Sequence, residues 1–346
     1  MEKIRSAIIG LGRIASLLED DKRREKPCTH AGAITDNPEC VLVGGCDINE
    51  ERRDLFAERW HVPVYADAAE MIHAQNPQIL VIATHQDSHY EYCRLAASFK
   101  IPVVICEKPL ADTLREARKI ARLDGIKIIT NHERRYSADY IRAKEILLSE
   151  KLGALLSVRA VLYMGKNRRL LDVLWHDGTH LADAIMFLTN SILKHRRKWG
   201  ANIRSTIGTA WLEGELFAGR DHDNPAPIPV VMELGSGRDH IVFEMEFSCS
   251  RGRLRIGNGV FEVWESGECP YAEKFRSLEL KSGRNFNEGP TGYFSNMISD
   301  AVSCVRDSGR QPVSSAADGL KVIEYLHSVG AINNNLSSSF CPITYS

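Results

Sequence analysis

The sequence predicts an α/β fold in two parts. Residues 1–131 form a parallel sheet covered by helices on both faces, and residues 132–346 form an α+β unit with an open, mainly antiparallel sheet. Three observations carry this. In the first part short β-rich runs alternate with segments of helical period, the pattern of strand–helix–strand units. In the second, β-rich runs follow one another with few helices between, and Gly235-Ser236-Gly237 and Ser250-Arg251-Gly252 supply turns. The third is length, since 346 residues exceed what one hydrophobic core normally serves.

The elements follow in order. The first-part strands are Ile4–Ile9, Val41–Cys46, Ile79–Thr84, Val103–Cys106 and Lys127–Thr130, with Val62–Tyr65 a short addition. Near-continuous apolar runs such as Ile79-Leu-Val-Ile-Ala83 suit strands buried on both faces. Between them Glu50–Trp60, Ala68–Gln75, Ser88–Ser98 and Leu114–Leu123 show helical spacing. The second part contributes strands at Ser157–Tyr163, Val230–Leu234, His240–Phe247, Arg253–Ile256 and Phe261–Trp264. Segment 218–229, rich in Asp, Asn and Pro, reads as a loop. Two helices, Tyr293–Ser308 and Ala316–Ala331, precede a polar tail, and the C-terminal helix is expected to pack back on the first part.

Composition excludes several function classes. Net charge is −1 and the pI about 6.9, whereas a nucleic-acid or anionic-membrane partner calls for a basic bias. Apolar runs are strand-length, well short of the roughly 18 residues of a membrane span. Met1-Glu2-Lys3-Ile4-Arg5 runs directly into a strand, which predicts no signal peptide. The nine cysteines are scattered with no C-x-x-C pair, as reduced thiols in a cytoplasmic protein would be.

Two signals converge on one crevice. Gly10-x-Gly12-x-x-Ala15 follows the first strand and is expected to open a helix. The glycines permit a tight turn and close approach of a pyrophosphate, and Ala15 permits close helix packing, as in a Rossmann domain. Backbone N–H groups around Gly12, Arg13 and Ile14 then face the phosphates. Asp47, ending the second strand, is the candidate for the ribose hydroxyls. It comes later than the usual spacing of about 20 residues, and an inserted charged loop, Glu19–Lys26, accounts for the excess. A carboxylate there favours NAD; Arg52 and Arg53 nearby leave NADP open. The second signal is Glu107-Lys108-Pro109 at the end of a strand, which puts an ammonium at the carboxyl edge where ligands of parallel sheets bind.

Glu107-Lys108-Pro109 after Gly10-x-Gly12-x-x-Ala15 resembles the Gfo/Idh/MocA family of glucose–fructose oxidoreductase and inositol dehydrogenase, over nearly the whole chain. Thr84 to His89 is similar to its fourth-strand end, with His85 where proline is usual. Asn131-His132-Glu133-Arg134-Arg135-Tyr136 is similar to its N-H-x-R-R-aromatic segment. Gly178-Thr179-His180-Leu181-Ala182-Asp183 is similar to its G-x-H-x-x-D helix, and Arg310-Gln311-Pro312 with Asp318-Gly319-Leu320 to its C-terminal region. The resemblance implies NAD(P)-dependent oxidation or reduction of a sugar or cyclitol hydroxyl, with Lys108 and His180 catalytic. Thr84, His85, His89, Glu107 and Lys108 join the cofactor set; Arg135, Lys166, Asp177 and Asp183 are candidate substrate contacts. It also implies a homodimer or homotetramer joined through an uncovered sheet face. One departure is His176, which stands where the family often has Asp.

These residues suit hydride transfer. His180 can take the hydroxyl proton near neutral pH, Lys108 can stabilise the developing alkoxide, and Glu107 orients Lys108 or the nicotinamide ribose. On a continuous helix His176, His180 and Asp183 share one face, so that Asp183 fixes the tautomer of His180 and His176 touches substrate. Lys166-Asn-Arg-Arg169 either meets an anionic substrate group or is a solvated loop, and Pro27-Cys28-Thr29-His30 is expected to cover the nicotinamide pocket. No H-E-x-x-H pattern supports a metal. Rival readings are an NAD-retaining glycosidase or lyase working by transient oxidation, and a non-catalytic cofactor-binding regulator.

Overall fold

The computed structural model describes residues 2–166, 168–218, 226–285 and 291–330. Strands β1 (Ile4–Ile9), β2 (Cys40–Cys46), β3 (Val64–Tyr65), β4 (Ile79–Ile82), β5 (Val103–Cys106) and β6 (Lys127–Thr130) form a parallel sheet in the order β3-β2-β1-β4-β5-β6. Every residue of β4 and β5 is buried, as all-apolar central strands require. Helices α1 (His30–Asp36), α2 (Glu50–Trp60), α3 (Ala68–Gln75), α4 (His89–Ser98) and α5 (Leu114–Ile120) cover the two faces. Asn49, Asp67 and Thr113 each accept a backbone N–H at the start of α2, α3 and α5, which satisfies donors a helix end leaves unpaired. Strand order reverses between β1 and β4, and such a reversal opens a crevice at the carboxyl edge.

The segment after the glycine turn differs from expectation. Instead of an α-helix, Gly12–Asp20 makes a turn and a short 3₁₀ stretch. The charged insertion then leaves and returns. His30 N–H donates to Ile14 O at 3.1 Å and Ala31 N–H to Ala15 O at 2.9 Å. The first helix is thus interrupted by the insertion and resumed by α1 on the same carbonyls.

The second sheet has eight strands in the order β14-β13-β12-β11-β7-β10-β9-β8. Helix α6 (Ala138–Leu148) leads to β7 (Leu155–Met164), followed by α7 (Leu170–His176) and α8 (Gly178–Thr189). Then come β8 (Ser191–Gly200), β9 (Gly208–Ala218), β10 (Ile228–Ser236), β11 (Ile241–Cys249), β12 (Gly252–Gly257), β13 (Val260–Glu268) and β14 (Arg276–Asn285). All neighbours pair antiparallel except β7 with β10. Strands β8, β9 and β14 escape sequence reading because Lys, Arg and Glu fill their outward positions. Of the loop expected over 218–229, residues 219–225 lie outside the described residues, and the ends belong to β9 and β10.

One face of this sheet buries Leu162, Met232, Phe243, Phe247 and Leu254 against α6, α7 and α8. Among the described residues no helix covers the other face, which carries cross-strand pairs such as Arg253–Glu246 at 3.3 Å and Arg255–Glu244 at 2.5 Å that lower the cost of leaving it to solvent. The last two helices, α9 (Tyr293–Arg306) and α10 (Ala316–Gly330), return to the first sheet. Phe294, Met297 and Ile298 of α9 join its core, while α10 gives Ile323 to that side and Val322 and Leu326 to the second sheet. Glu25 of the insertion seals the start of α9, its carboxylate accepting the N–H groups of Thr291 and Gly292 at 2.7 Å each. Among the described residues no helix is long and apolar enough to cross a membrane.

Candidate active site

The carboxyl ends of β1, β2, β4 and β5 stand side by side, with Ile9 paired to Cys46 and Ile82, and Ile82 to Cys106. Gly10, Asp47, Thr84 and Glu107 therefore share one edge. Gly10 has φ +86°, and a Cβ there would lie 2.7 Å from Ala83, so glycine is required for the turn. A Cβ on Gly12 would meet only Arg52 Nη1, at 3.9 Å, so its backbone is open to approach. Asp47 is buried and accepts the N–H of Leu11 at 2.8 Å and of Asn49 at 2.9 Å, with Arg52 3.7 Å away. Arg13 and His85 are exposed, Ile14 half-buried.

Two of the expected cofactor contacts have other work. His89 is fully buried, with Nδ1 3.1 Å from Pro109 O and Nε2 3.2 Å from Thr84 O. It ties the end of β4 to the Glu107–Pro109 turn and has no ring nitrogen left for a ligand. Burial pushes its pKa down. Glu107 neither orients the Lys108 side chain nor faces outward. Its Oε1 takes His30 Nε2 at 2.8 Å and Asn131 Nδ2 at 2.5 Å, and its Oε2 accepts the Lys108 N–H at 3.3 Å. Burial opposes its charge, but His30, Asn131 and the Lys108 ammonium outweigh it and lower its pKa. His30, the end of the Pro27–His30 segment, thus reaches the site by way of Glu107.

Lys108 Nζ donates to the backbone carbonyl of His176 at 2.7 Å. That carbonyl lies where α7 ends and α8 begins, so the α7–α8 junction and the end of β5 meet at the ammonium. The junction overturns the expected continuous helix: the chain breaks at Asp177, with φ −106° and ψ −29°. His176 consequently belongs to a different helix from His180. Burial lowers the pKa of both, and the Lys108 charge adds to this; His180 falls well below its ordinary value and is a neutral imidazole at pH 7.

Asp183 does not fix His180. It is 1% exposed and holds Arg135, Nε to Oδ2 at 2.9 Å and Nη2 to Oδ1 at 2.8 Å, with His132 Nδ1 at 3.1 Å. Arg135 also reaches Asp318 at 3.1 Å and Val313 O at 3.1 Å. Both residues, expected at the substrate, spend their polar atoms on each other inside the protein. Asp177 pairs with Arg168 at 2.8 Å and Arg169 with Asp172 at 2.8 Å, which neutralises most of the supposed anion-binding stretch; Lys166 is exposed.

The neighbour of His180 is Glu133, whose Oε2 lies 3.2 Å from Nδ1, while its Oε1 takes Arg134 Nη1 at 2.8 Å. His132 stands edge-on to His180, ring centres 6.4 Å apart. Sequence reasoning quoted His132 and Glu133 without assigning them a role. Their position directly after β6, at the same carboxyl edge, was the available signal. Tyr293, at the start of α9, completes this wall: burial and the Glu133 carboxylate raise its pKa.

The edge suits a dinucleotide. Besides the open Gly12 backbone, His30 Nδ1, Asn131 Oδ1 and His132 Nε2 are buried polar atoms without a protein hydrogen bond, and such atoms call for a partner. Gly10, Gly12 and Asp47 would take the phosphate and ribose end, and the Asn131 and His132 side the ring end. Among the described residues no group of three or more His, Cys, Asp or Glu is arranged to hold a metal ion.

The buried neutral histidines make stability depend on pH. A folded pKa below the unfolded one means that the unfolded chain binds the proton first. Stability is then complete above about pH 6.5 and declines as pH falls, by up to about 1.4 kcal/mol per unit for each such group. His89 and His180 are the main contributors. Urea unfolding at pH 7.5 and 5.5 is expected to give a lower midpoint at the acid value; equal midpoints would refute the neutral assignment.

Residues 4–125 match the Gfo/Idh/MocA oxidoreductase family with its NAD-binding Rossmann fold. Glucose-6-phosphate 3-dehydrogenase of Bacillus subtilis is 26% identical over 55% of this chain and 55% of its own. Inositol 2-dehydrogenase of Rubrobacter xylanophilus is 30% identical over 38% of this chain and 37% of its own. The crystal structure of a dehydrogenase from Chromobacterium violaceum superposes with a TM-score of 0.75 at 15% identity, covering 96% of each chain, a likeness of fold. The chain spans between about a third and about half the length of the first curated relatives it matches.

Proposed function

We propose that the chain, whose residues 4–125 match the Gfo/Idh/MocA oxidoreductases, interconverts a secondary hydroxyl and a keto carbon on a sugar, cyclitol or sugar derivative. NAD is the family's cofactor and, when bound, accepts or returns hydride at the substrate carbon. The observation that carries the reading is the Lys108 ammonium, anchored 2.7 Å from His176 O, with its charge felt by a neutral, buried His180. An ammonium has three donors; with one spent on the carbonyl, the others remain for the substrate oxygen. Neutral His180 takes the hydroxyl proton during oxidation and returns it during reduction. The uncovered face of the eight-stranded sheet supports assembly as a homodimer or homotetramer.

The test is a panel of polyols, cyclitols, sugar phosphates and uronates with NAD, read by absorbance of the reduced nicotinamide. Turnover of at least one member is the expected result. Cleavage of a glycoside without net cofactor reduction would replace this reading with transient oxidation. Tight NAD binding without turnover of any member would replace it with a regulator.

A further inference from the structure

We infer that Glu133 is the positioning carboxylate of His180 and the exit for its proton. The inference rests on the hydroxyl oxidation proposed above, which leaves one proton with the protein in each turnover. Four observations support it. The acid expected to orient His180, Asp183, is locked to Arg135 in the interior. The residue four positions before His180 is His176, whose carbonyl rather than side chain serves Lys108. Among the described residues Glu133 alone offers a carboxylate at ion-pair distance from the ring, 3.2 Å from Nδ1. Finally, the Glu133 side chain is 23% exposed whereas His180 is 11% exposed, so the carboxylate has the better route to water.

The ring is surrounded mainly by cations and by burial. Burial comes first, and Lys108 at the end of β5, with Arg134 and His132 after β6, also disfavours imidazolium; a carboxylate 3.2 Å from Nδ1 acts in the opposite sense by its charge. Nδ1 is buried and makes no hydrogen bond, Glu133 standing at ion-pair distance only, and catalytic contacts of this kind often tighten when substrate is bound. With Nδ1–H directed at Glu133, Nε2 is the free base. In oxidation the substrate O–H bond breaks and N–H forms at Nε2. The Nδ1–H bond breaks as O–H forms on Glu133, which then gives that proton to water; after product leaves, Nε2 gives its proton to water and Nδ1 regains one from water through Glu133, which restores the starting tautomer. Arg134, 2.8 Å from the other carboxylate oxygen, keeps Glu133 aimed at the ring.

The experiment compares wild type with Glu133→Gln and Glu133→Ala. Glu133→Gln preserves volume and the contact to Arg134, and serves if the alanine variant folds poorly. In both, kcat is expected to fall about 10- to 100-fold, the range of a lost general-base partner, while KM, NAD affinity and melting temperature hold. Formate should restore part of the kcat of Glu133→Ala, which a purely structural role would not allow. In free enzyme, histidine-selective NMR should show the His180 titration moving to lower pH in both variants, since the favourable anion is gone. The NMR arm needs no substrate, so it stands even if the substrate panel fails. An unchanged His180 titration, or a wild-type kcat in Glu133→Gln, would overturn the assignment.

Discussion

A Lys108→Ala variant is expected to bind NAD as wild type does and to lose turnover by about 100-fold or more, the loss typical of a missing acid–base or electrostatic group. The reason is positional. Nζ is held by one carbonyl at the α7–α8 junction, so truncation removes the donor proposed for the reacting oxygen and leaves the glycine turn untouched. A second effect has a fixed sign. The Lys108 charge helps depress the pKa of His176 and His180, so both should rise toward the ordinary histidine value in the variant. The acid limb of the residual rate should therefore move to higher pH. Rates within a few-fold of wild type would remove Lys108 from the chemistry.

The largest stability effect is expected at Asp183. Changing it to Asn leaves a buried guanidinium facing a neutral amide, and breaking one partner of a buried pair costs about 3–5 kcal/mol. Asp318, 3.1 Å from Arg135 Nη1, remains and keeps the loss toward the lower end. That is still a large part of the roughly 5–15 kcal/mol that holds a domain folded. Denaturant unfolding of Asp183→Asn measures it directly, and a loss under about 1 kcal/mol would mean that the pair is dispensable.

The parts of the fold that declared themselves in the sequence did so through period and punctuation. Strands β4 and β5 are unbroken apolar runs because helices shield both faces, and Gly10 is readable because only glycine fits its φ and its approach to Ala83. The edge strands β8 and β14 were hidden, since a strand with one wet face and Lys or Arg along it lacks an apolar signature. At the site, Lys108 and His180 could be picked out by their motifs. The partner of His180 could not. Helical spacing pointed to Asp183, but the helix ends at His176 and a new one begins at Gly178, and Arg135, far off in sequence, claims the acid. Pairing across such distances is decided by packing, which spacing along one helix does not encode.

The excursion between Ala15 and His30 has an evolutionary consequence. Because the chain re-enters its helix on the carbonyls of Ile14 and Ala15, the sheet beneath registers no phase change, whatever the excursion's length. Its tip touches the start of α9 through Glu25, and its last residue touches Glu107, the acid beside Lys108. Selection can thus exchange or resize this one stretch while the glycine turn and the strand order beneath it are inherited intact.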